Sequence, residues 1–489
     1  MLSFDRFQTS TRPTPRTITR RTLLKLVPVV TGAALLAACQ AAPPPPPPTP
    51  RPRPTRIPRK TASQTAAGAR PAVTPAPRAT AAPVQATGAT GPLKVGVLAA
   101  RSGVTAAVGQ AGQRATEWWA KRVNQRGGVL DRPVELVVEE ESSPKDTVTR
   151  FQKLVFSDKV DLVVGLISTG VSTTVAPVAE EAGVPLLMWD GTTQKGVEET
   201  ITNPRWIFRS TDNEVEAIVA AILTAKFFKD VRTIVGINND YSYGHDNWAV
   251  YQAVLKKYLP DVRFGESIFT KLGETEFSAH VATLQQTGAD LVMCSFWSGD
   301  APIFLQQAAS AGLFKTMRGV FTTAGGVVDA LKKDFTPEGL LIGYNTLYFD
   351  HPGASDLLKE FVKDYHAAYG EYPSYECDHA YFVLEAYRAA VERASKQAGG
   401  WPSKEQIVKA LEGVEVESLS GPRRMREDHV MEGVFYQGLA THDNAYDFAT
   451  IDPIEAVPTT VAMKPAGGVN LYDWIASWRI GPDGLPRVS

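Results

Sequence analysis

The chain has 489 residues, three cysteines and nearly balanced charge, with 51 Lys plus Arg against 52 Asp plus Glu. That length exceeds one ordinary hydrophobic core and predicts more than one domain. Three cysteines exclude a disulfide scaffold, and the balanced total hides a split: six basic residues precede Cys39 and seven lie between Gln40 and Pro92, leaving 38 against 51 acidic residues beyond Pro92. An acidic body of net charge −13 argues against nucleic acid as a partner.

The first segment, TRRTLLKLVPVVTGAALLAAC, joins Arg20 and Arg21 to an apolar stretch from Leu26 to Ala38 that ends on small residues and Cys39. A basic region, a short apolar run and a small-residue end form a secretion signal. The apolar run is 13 residues and holds Pro28 and Gly32, short of the roughly 20 needed to span a bilayer. Thr19–Lys25 resembles the twin-arginine export motif, and Leu36-Ala37-Ala38-Cys39 resembles the bacterial lipobox. The lipobox implies a signal peptide over 1–38 and a diacylated Cys39 as mature N-terminus. Two acyl chains hold a protein stably at a membrane where one does not.

Residues 39–92 are rich in Pro, Ala, Thr and Arg, with no acidic residue. Such a stretch has too little apolar surface to offset its ordering entropy and reads as a linker biased to polyproline II. The 53 residues after Cys39 span at most about 160 Å at roughly 3.1 Å each. A basic tether suits anionic lipid headgroups.

Beyond Pro92, strand-like apolar runs alternate with helical periodicity. LKVGVLA (93–99) precedes GQRATEWWAKRVNQRGG; PVELVVEE precedes a helix over about 146–156; DLVVGLI (161–167) precedes TTVAPVAEEAG and VPLLMWD (184–190). The alternation resumes after about residue 212 with EVEAIVAAILTAKFF, TIVGIN, WAVYQAVLKKYL, RFGESIF, FSAHVATLQQTG, DLVMCSF and PIFLQQAASAG. Continuous apolar strands between helices predict parallel sheets covered on both faces, here two doubly wound α/β lobes. Cys294, inside DLVMCSF, reads as a small buried hydrophobe, and His379 as a packed or surface residue. No His or Cys pair has metal-site spacing, no cofactor is expected, and the nucleophile-elbow, P-loop and dinucleotide motifs are absent. Carboxylates near the expected cleft look few and unpaired, so no enzyme is expected.

Ligands of open parallel sheets bind beyond the carboxyl ends of the strands. The run 161–167 leads into Ser168 and Thr169, whose hydroxyls and free N–H groups suit a carboxylate or simply cap a helix. LLMWDGTTQKG places Gly191, Thr192 and Thr193 at another strand end.

The segment VNQRGGVLDRPVELVVEEESSPKDTVTRFQKLVFSDKVDLVVGLISTGVSTTVAPVAEEAGVPLL resembles the type I periplasmic solute-binding proteins of the branched-chain amino acid family, receptors of ABC importers. GADLVMCSFWSGDAPIFLQQAASAGL, FVKDYHAAYGEYPSYECDHAYFVLEAYRAAVERA and SGPRRMREDHVMEGVFY resemble its later segments, so the likeness runs from about 93 to 450. It implies a three-crossover hinge, with lobe 1 over 93–211 plus 345–415, lobe 2 over 212–344 plus 416–455, and a C-terminal extension over 456–489. It further implies that Ser168, Gly191 and Thr193 hold a ligand carboxylate, that Tyr243 faces the cleft, and that Trp297 or Ser298 closes over the ligand. Amino-acid-binding members carry a glutamate for the ligand ammonium near Thr322 and Thr323. Asp190 or Asp300 could substitute, or the solute is a small organic acid, aromatic acids included. The implied function is capture of a small solute by hinge closure, with an ABC permease as membrane partner; a tethered sensor of the same fold is the alternative.

Overall fold

The structure is a computed structural model that describes residues 91–482 and 484–488. The expected signal peptide, Cys39 and all but the end of the tether lie outside the described residues.

The first sheet is assembled from β1 (Leu93–Ala99), β2 (Val134–Glu140), β3 (Leu162–Gly165), β4 (Leu186–Met188) and β5 (Ile207–Arg209). Their spatial order is β2-β1-β3-β4-β5, and every pairing is parallel. Between them run α1 (Ala106–Gln125), α2 (Pro144–Gln152), α3 (Thr169–Ala182) and α4 (Gln194–Thr200). β1 is paired on both sides and covered on both faces, which is why it reads as an unbroken apolar run. Ser143 starts α2 by accepting from the Asp146 N–H at 3.2 Å, with Pro144 in the first turn where its missing N–H is harmless. A five-residue π-turn, Lys153–Ser157, completes the helix expected to 156. Gly165 closes β3 at φ +125°, and a Cβ there would stand 2.0 Å from the Leu98 carbonyl oxygen. Only glycine lets that strand end turn toward Ser168.

The chain then crosses into α5 (Glu214–Phe227), whose Glu214–Thr224 stretch is buried on all sides. The second sheet begins with β6 (Thr233–Asn239), α6 (Ser242–Tyr258), β7 (Arg263–Thr270), α7 (Ser278–Thr287), β8 (Leu291–Cys294), α8 (Asp300–Ser310), β9 (Arg318–Phe321) and β10 (Leu341–Gly343). Cys294 is fully buried in β8, as expected. A second crossover returns the chain to α9 (Asp356–Tyr369), α10 (Tyr375–Ala398) and α11 (Lys404–Leu411). The helix α11 starts on a reciprocal Ser403–Gln406 capping box. Then follow β11 (Glu415–Ser418), β12 (Gly421–Met425) and β13 (Met431–Glu432), a small antiparallel sheet. The third crossover leads to β14 (Val434–Thr441) and β15 (Thr450–Pro458). The second sheet is thus ordered β15-β14-β10-β9-β8-β6-β7, parallel except where β14 pairs with β10 and β15.

Residues 416–432, read from the sequence as part of lobe 2, differ from that expectation. Leu419, Met425 and Met431 join the buried cluster built on β1, α1 and α10. Met425 and Met431 lie on the short sheet and Leu419 in its β11–β12 turn, and burial assigns all three to the first core. After β15, α12 (Thr459–Ala462) and α13 (Leu471–Ala476) lead to a terminal hairpin. Leu471, Trp474, Ile475 and Trp478 enter the core of α5 and α6. The C-terminal segment therefore adds core to the second lobe.

Candidate functional site

The carboxyl ends of both sheets face one another across a narrow cleft. From the first sheet come the β1–α1 loop, Glu141 after β2, Ile167–Ser168 after β3, and Trp189–Thr193 after β4. From the second come Asp240–Tyr243 after β6, Phe296–Gly299 after β8, and Thr322–Thr323 after β9. Glu216 on α5 and Tyr375–His379 on α10 reach the same region. The lobes touch directly: the Val104 carbonyl accepts from the Ser298 hydroxyl at 2.5 Å and the Gly299 N–H at 3.3 Å. Across the other flank, the Asp246 carboxylate accepts from the Thr193 hydroxyl at 2.8 Å and from Lys195 Nζ at 3.0 Å. Tyr243 and Trp297, second-lobe residues, are buried within the first lobe's apolar cluster. This is a closed arrangement.

The residues singled out in the sequence fall into distinct roles. Ser168 is half-buried and lines a cavity of 530 Å³ together with Val104, Glu141, Tyr241 and Leu272. Its N–H is taken by the Glu141 carboxylate at 3.1 Å, which also accepts from Ile167 N–H at 2.9 Å. Thr169 is buried and its hydroxyl makes no hydrogen bond. Gly191 sits where a Cβ would stand 2.5 Å from the Thr211 carbonyl oxygen. The Thr192 hydroxyl is buried without a hydrogen bond, while its carbonyl accepts from Arg209. Thr193 caps α4 by accepting from Gly196 N–H, so its hydroxyl is shared between that cap and Asp246. Tyr243 Oη and Thr323 Oγ1 lie 2.7 Å apart, and the same phenol donates to Glu216 at 3.2 Å. The Trp297 indole donates to Tyr241 Oη at 3.0 Å. Ser298 is spent on the contact with Val104. Asp300 is buried and accepts from the Asn239 amide at 2.8 Å, a structural pairing.

Sequence reasoning missed the most distinctive feature, a group of buried acids, and the expectation of few carboxylates in the cleft is corrected here. Burial pushes Glu141 up to about 7 against the two N–H groups it accepts from. Burial, reinforced by Glu141, pushes Asp190 up to about 8, with Asn213 donating to it. Glu216 and Glu376 are raised well above the carboxylate range by burial and then by Asp190. Tyr375 is raised by burial and then by Asp190, Glu216 and Glu376. Burial holds His379 down to about 3, so its ring is neutral. His379 is fully buried, and one ligand atom each from Asp190, Glu376 and His379 lies within 4.8 Å of the others. No linear motif marks these residues. Glu141 ends the acidic run of β2, and Glu216 and Glu376 stand in first helical turns, where acids commonly serve the helix dipole. The signal that could have found them is Glu216, with Glu214, at the start of a helix whose next seven residues, 217–223, are all apolar.

Two α/β lobes joined by three crossovers and closed on a polar cleft define a two-lobed solute receptor, in which binding rather than side-chain chemistry is the function. The chain belongs to the periplasmic binding protein family, whose model matches residues 92–441. Leu/Ile/Val-binding protein homolog 7 of Brucella suis biovar 1 (strain 1330) is 26% identical over 303 residues, 58% of this chain and 73% of that protein. The fold is similar to that of an ABC-transporter solute-binding protein of Rhodopseudomonas palustris BisB5 in complex with 3,4-dihydroxybenzoic acid. That likeness has 21% identity and TM-score 0.65, covering 77% of this chain and 99% of that one. It is also similar to the branched-chain amino acid transporter substrate-binding protein LivJ of Streptococcus pneumoniae in complex with isoleucine, at 19% identity and TM-score 0.61, covering 75% and 99%. These relatives are solute-binding proteins, not enzymes, as the sequence predicts. Family membership puts the chain's work outside the cytoplasm. Among the described residues, no helix is long and apolar enough to cross a membrane.

Proposed function

We propose that the protein is the lipid-anchored receptor of an ABC importer, tethered through Cys39, which closes on a small solute and presents the closed form to a membrane permease. The observation that carries this reading is the cleft itself: both lobes supply buried polar groups to one place and bond to each other across it. A solute that bridges them stabilises closure by its contacts with both halves. Thr169 and Thr192 supply hydroxyls free to meet a carboxylate. Asp190 stands in for the missing glutamate near Thr323 as partner for an amino group. An amino acid or related amine is therefore the first reading. A benzoate-type acid is the second, supported by the aromatic wall of Tyr241, Tyr243 and Trp297.

Small-angle scattering of the full-length protein tests the receptor reading. A bound solute should contract the particle, and calorimetry should show weaker binding after Thr169→Val, which removes a buried hydroxyl while keeping shape. Saturable binding with no change in dimensions would refute hinge closure.

A further inference from the structure

Glu141, Asp190 and Glu376 come from the first lobe, and Glu216 approaches them from α5, which leads into the second. Among the described residues, no lysine or arginine forms an ion pair with any of the four. The neighbouring cations are engaged elsewhere: Lys195 with Asp246, Arg209 with the Thr192 carbonyl and Gln194, and Arg423 with the Thr346 carbonyl. The one basic ring in the group is His379, whose Nδ1 lies 3.5 Å from Glu376 Oε2 without forming a hydrogen bond. Both Glu376 oxygens, Asp190 Oδ1, Glu216 Oε2 and the Tyr375 hydroxyl are buried with no hydrogen-bond partner. Glu376 and Glu216 are 0% and 1% exposed, and Asp190 6%. Unpartnered buried acceptors of this kind are strongly destabilising unless a donor arrives. Tyr375 is also pressed from the second lobe: a Cβ at Gly326 would stand 3.1 Å from its Oη. The acid group is therefore enclosed by closure itself.

Resting on the receptor reading above, we propose that the solute carries net positive charge, as a small organic ammonium or guanidinium compound held by Asp190, Glu216 and Glu376. Its N–H groups supply the donors that these oxygens lack, and its charge favours the ionised form of acids that the closed cleft otherwise holds protonated. The phenol faces of Tyr241, Tyr243 and Tyr375 suit an organic cation by cation–π attraction. A benzoate, or any solute without N–H groups, would leave these oxygens without the donor they lack. Glu216 has the further role of reporting closure, since it joins a cluster otherwise drawn from the first lobe. Without a cation, its approach is opposed by burial of its own carboxyl beside Asp190 and Glu376.

The test is calorimetry and thermal shift on the full-length protein with arginine, 1,4-diaminobutane, leucine, 4-hydroxybenzoate and zinc chloride. Arginine or diaminobutane should bind saturably, and Glu216→Gln and Glu376→Gln should each weaken that binding about tenfold or more. Both variants should keep or raise the unliganded melting temperature, because each replaces a buried acid that has to be held protonated with a neutral amide of the same shape. Failure of both cationic probes to bind overturns the proposal. So does binding of leucine or 4-hydroxybenzoate that the glutamine variants leave unchanged or strengthen, an outcome that keeps the receptor reading intact. Zinc binding with no organic cation bound, abolished by His379→Ala, also overturns it in favour of a metal site on Asp190, Glu376 and His379. The receptor reading fails separately, if no solute of any charge contracts the particle in scattering.

Discussion

Ser298→Ala offers the cleanest perturbation of closure, because its hydroxyl touches the other lobe and nothing else. The bond to the Val104 carbonyl is 2.5 Å long and joins the β8–α8 turn to the β1–α1 loop. In an open form that hydroxyl would be hydrated, so closure exchanges a water bond for a protein bond, worth about 1 kcal/mol. The larger penalty of orphaning a buried acceptor does not apply in full, since the Gly299 N–H still reaches the same carbonyl at 3.3 Å. The open form loses nothing, so the whole difference falls on the closed state. A solute bound only by the closed form should then show a Kd raised about fivefold. Calorimetry measures the Kd, and scattering without solute should show a larger mean radius than wild type. An unchanged Kd with unchanged dimensions would refute the contact as a latch. A rise of hundredfold would also refute the reasoning, by placing Ser298 on the solute.

Closure without solute should depend on pH. Carboxylates that titrate near 4 when hydrated are raised in the closed form, Glu141 to about 7 and Asp190 to about 8, with Glu216 and Glu376 raised as well. The closed state thus holds more protons, so it is favoured at low pH and loses that advantage as pH rises through 7 to 8. The groups facing the cluster, Tyr241, Tyr243, Tyr375 and His379, hold no charge in that window. Scattering at pH 5 and pH 9 checks the sign, and a more open particle at pH 5 contradicts it. Gly112→Ala should destabilise the first lobe by about 1–3 kcal/mol, because its Cβ would stand 2.5 Å from Trp189 Cε3. Thermal denaturation reads it, and an unaltered melting temperature would mean the indole moves freely. Cys39→Ala should release the protein from membranes on fractionation, and retention in the membrane fraction would dispose of the lipid anchor.

Much of this architecture was legible in the chain. Strands buried on both faces need continuous apolar runs, so LKVGVLA, DLVVGLI and DLVMCSF announced β1, β3 and β8 as members of parallel sheets. The strand ends raised Ser168, Thr169 and Gly191 as expectations, because parallel sheets collect their loops at one edge, and the family resemblance added Tyr243. Short strands were harder: β5 is three residues and carries no periodicity to read. Residues 416–432 of the small sheet were placed with the second lobe, whereas their burial joins them to the first core, since which core a hairpin covers depends on what lies beneath it.

The sequence by itself determined the α/β class, the division into two series and the edge at which a solute is expected, because these follow from local periodicity and chain order. Only the tertiary structure decided the charge of that edge. Glu141, Asp190, Glu216 and Glu376 are separated by up to 235 positions along the chain, and each alone is an ordinary surface residue type. Their meaning arises when folding removes water from all four at once. A carboxylate is solvated one at a time, and its neighbours are fixed by the fold rather than by the sequence around it.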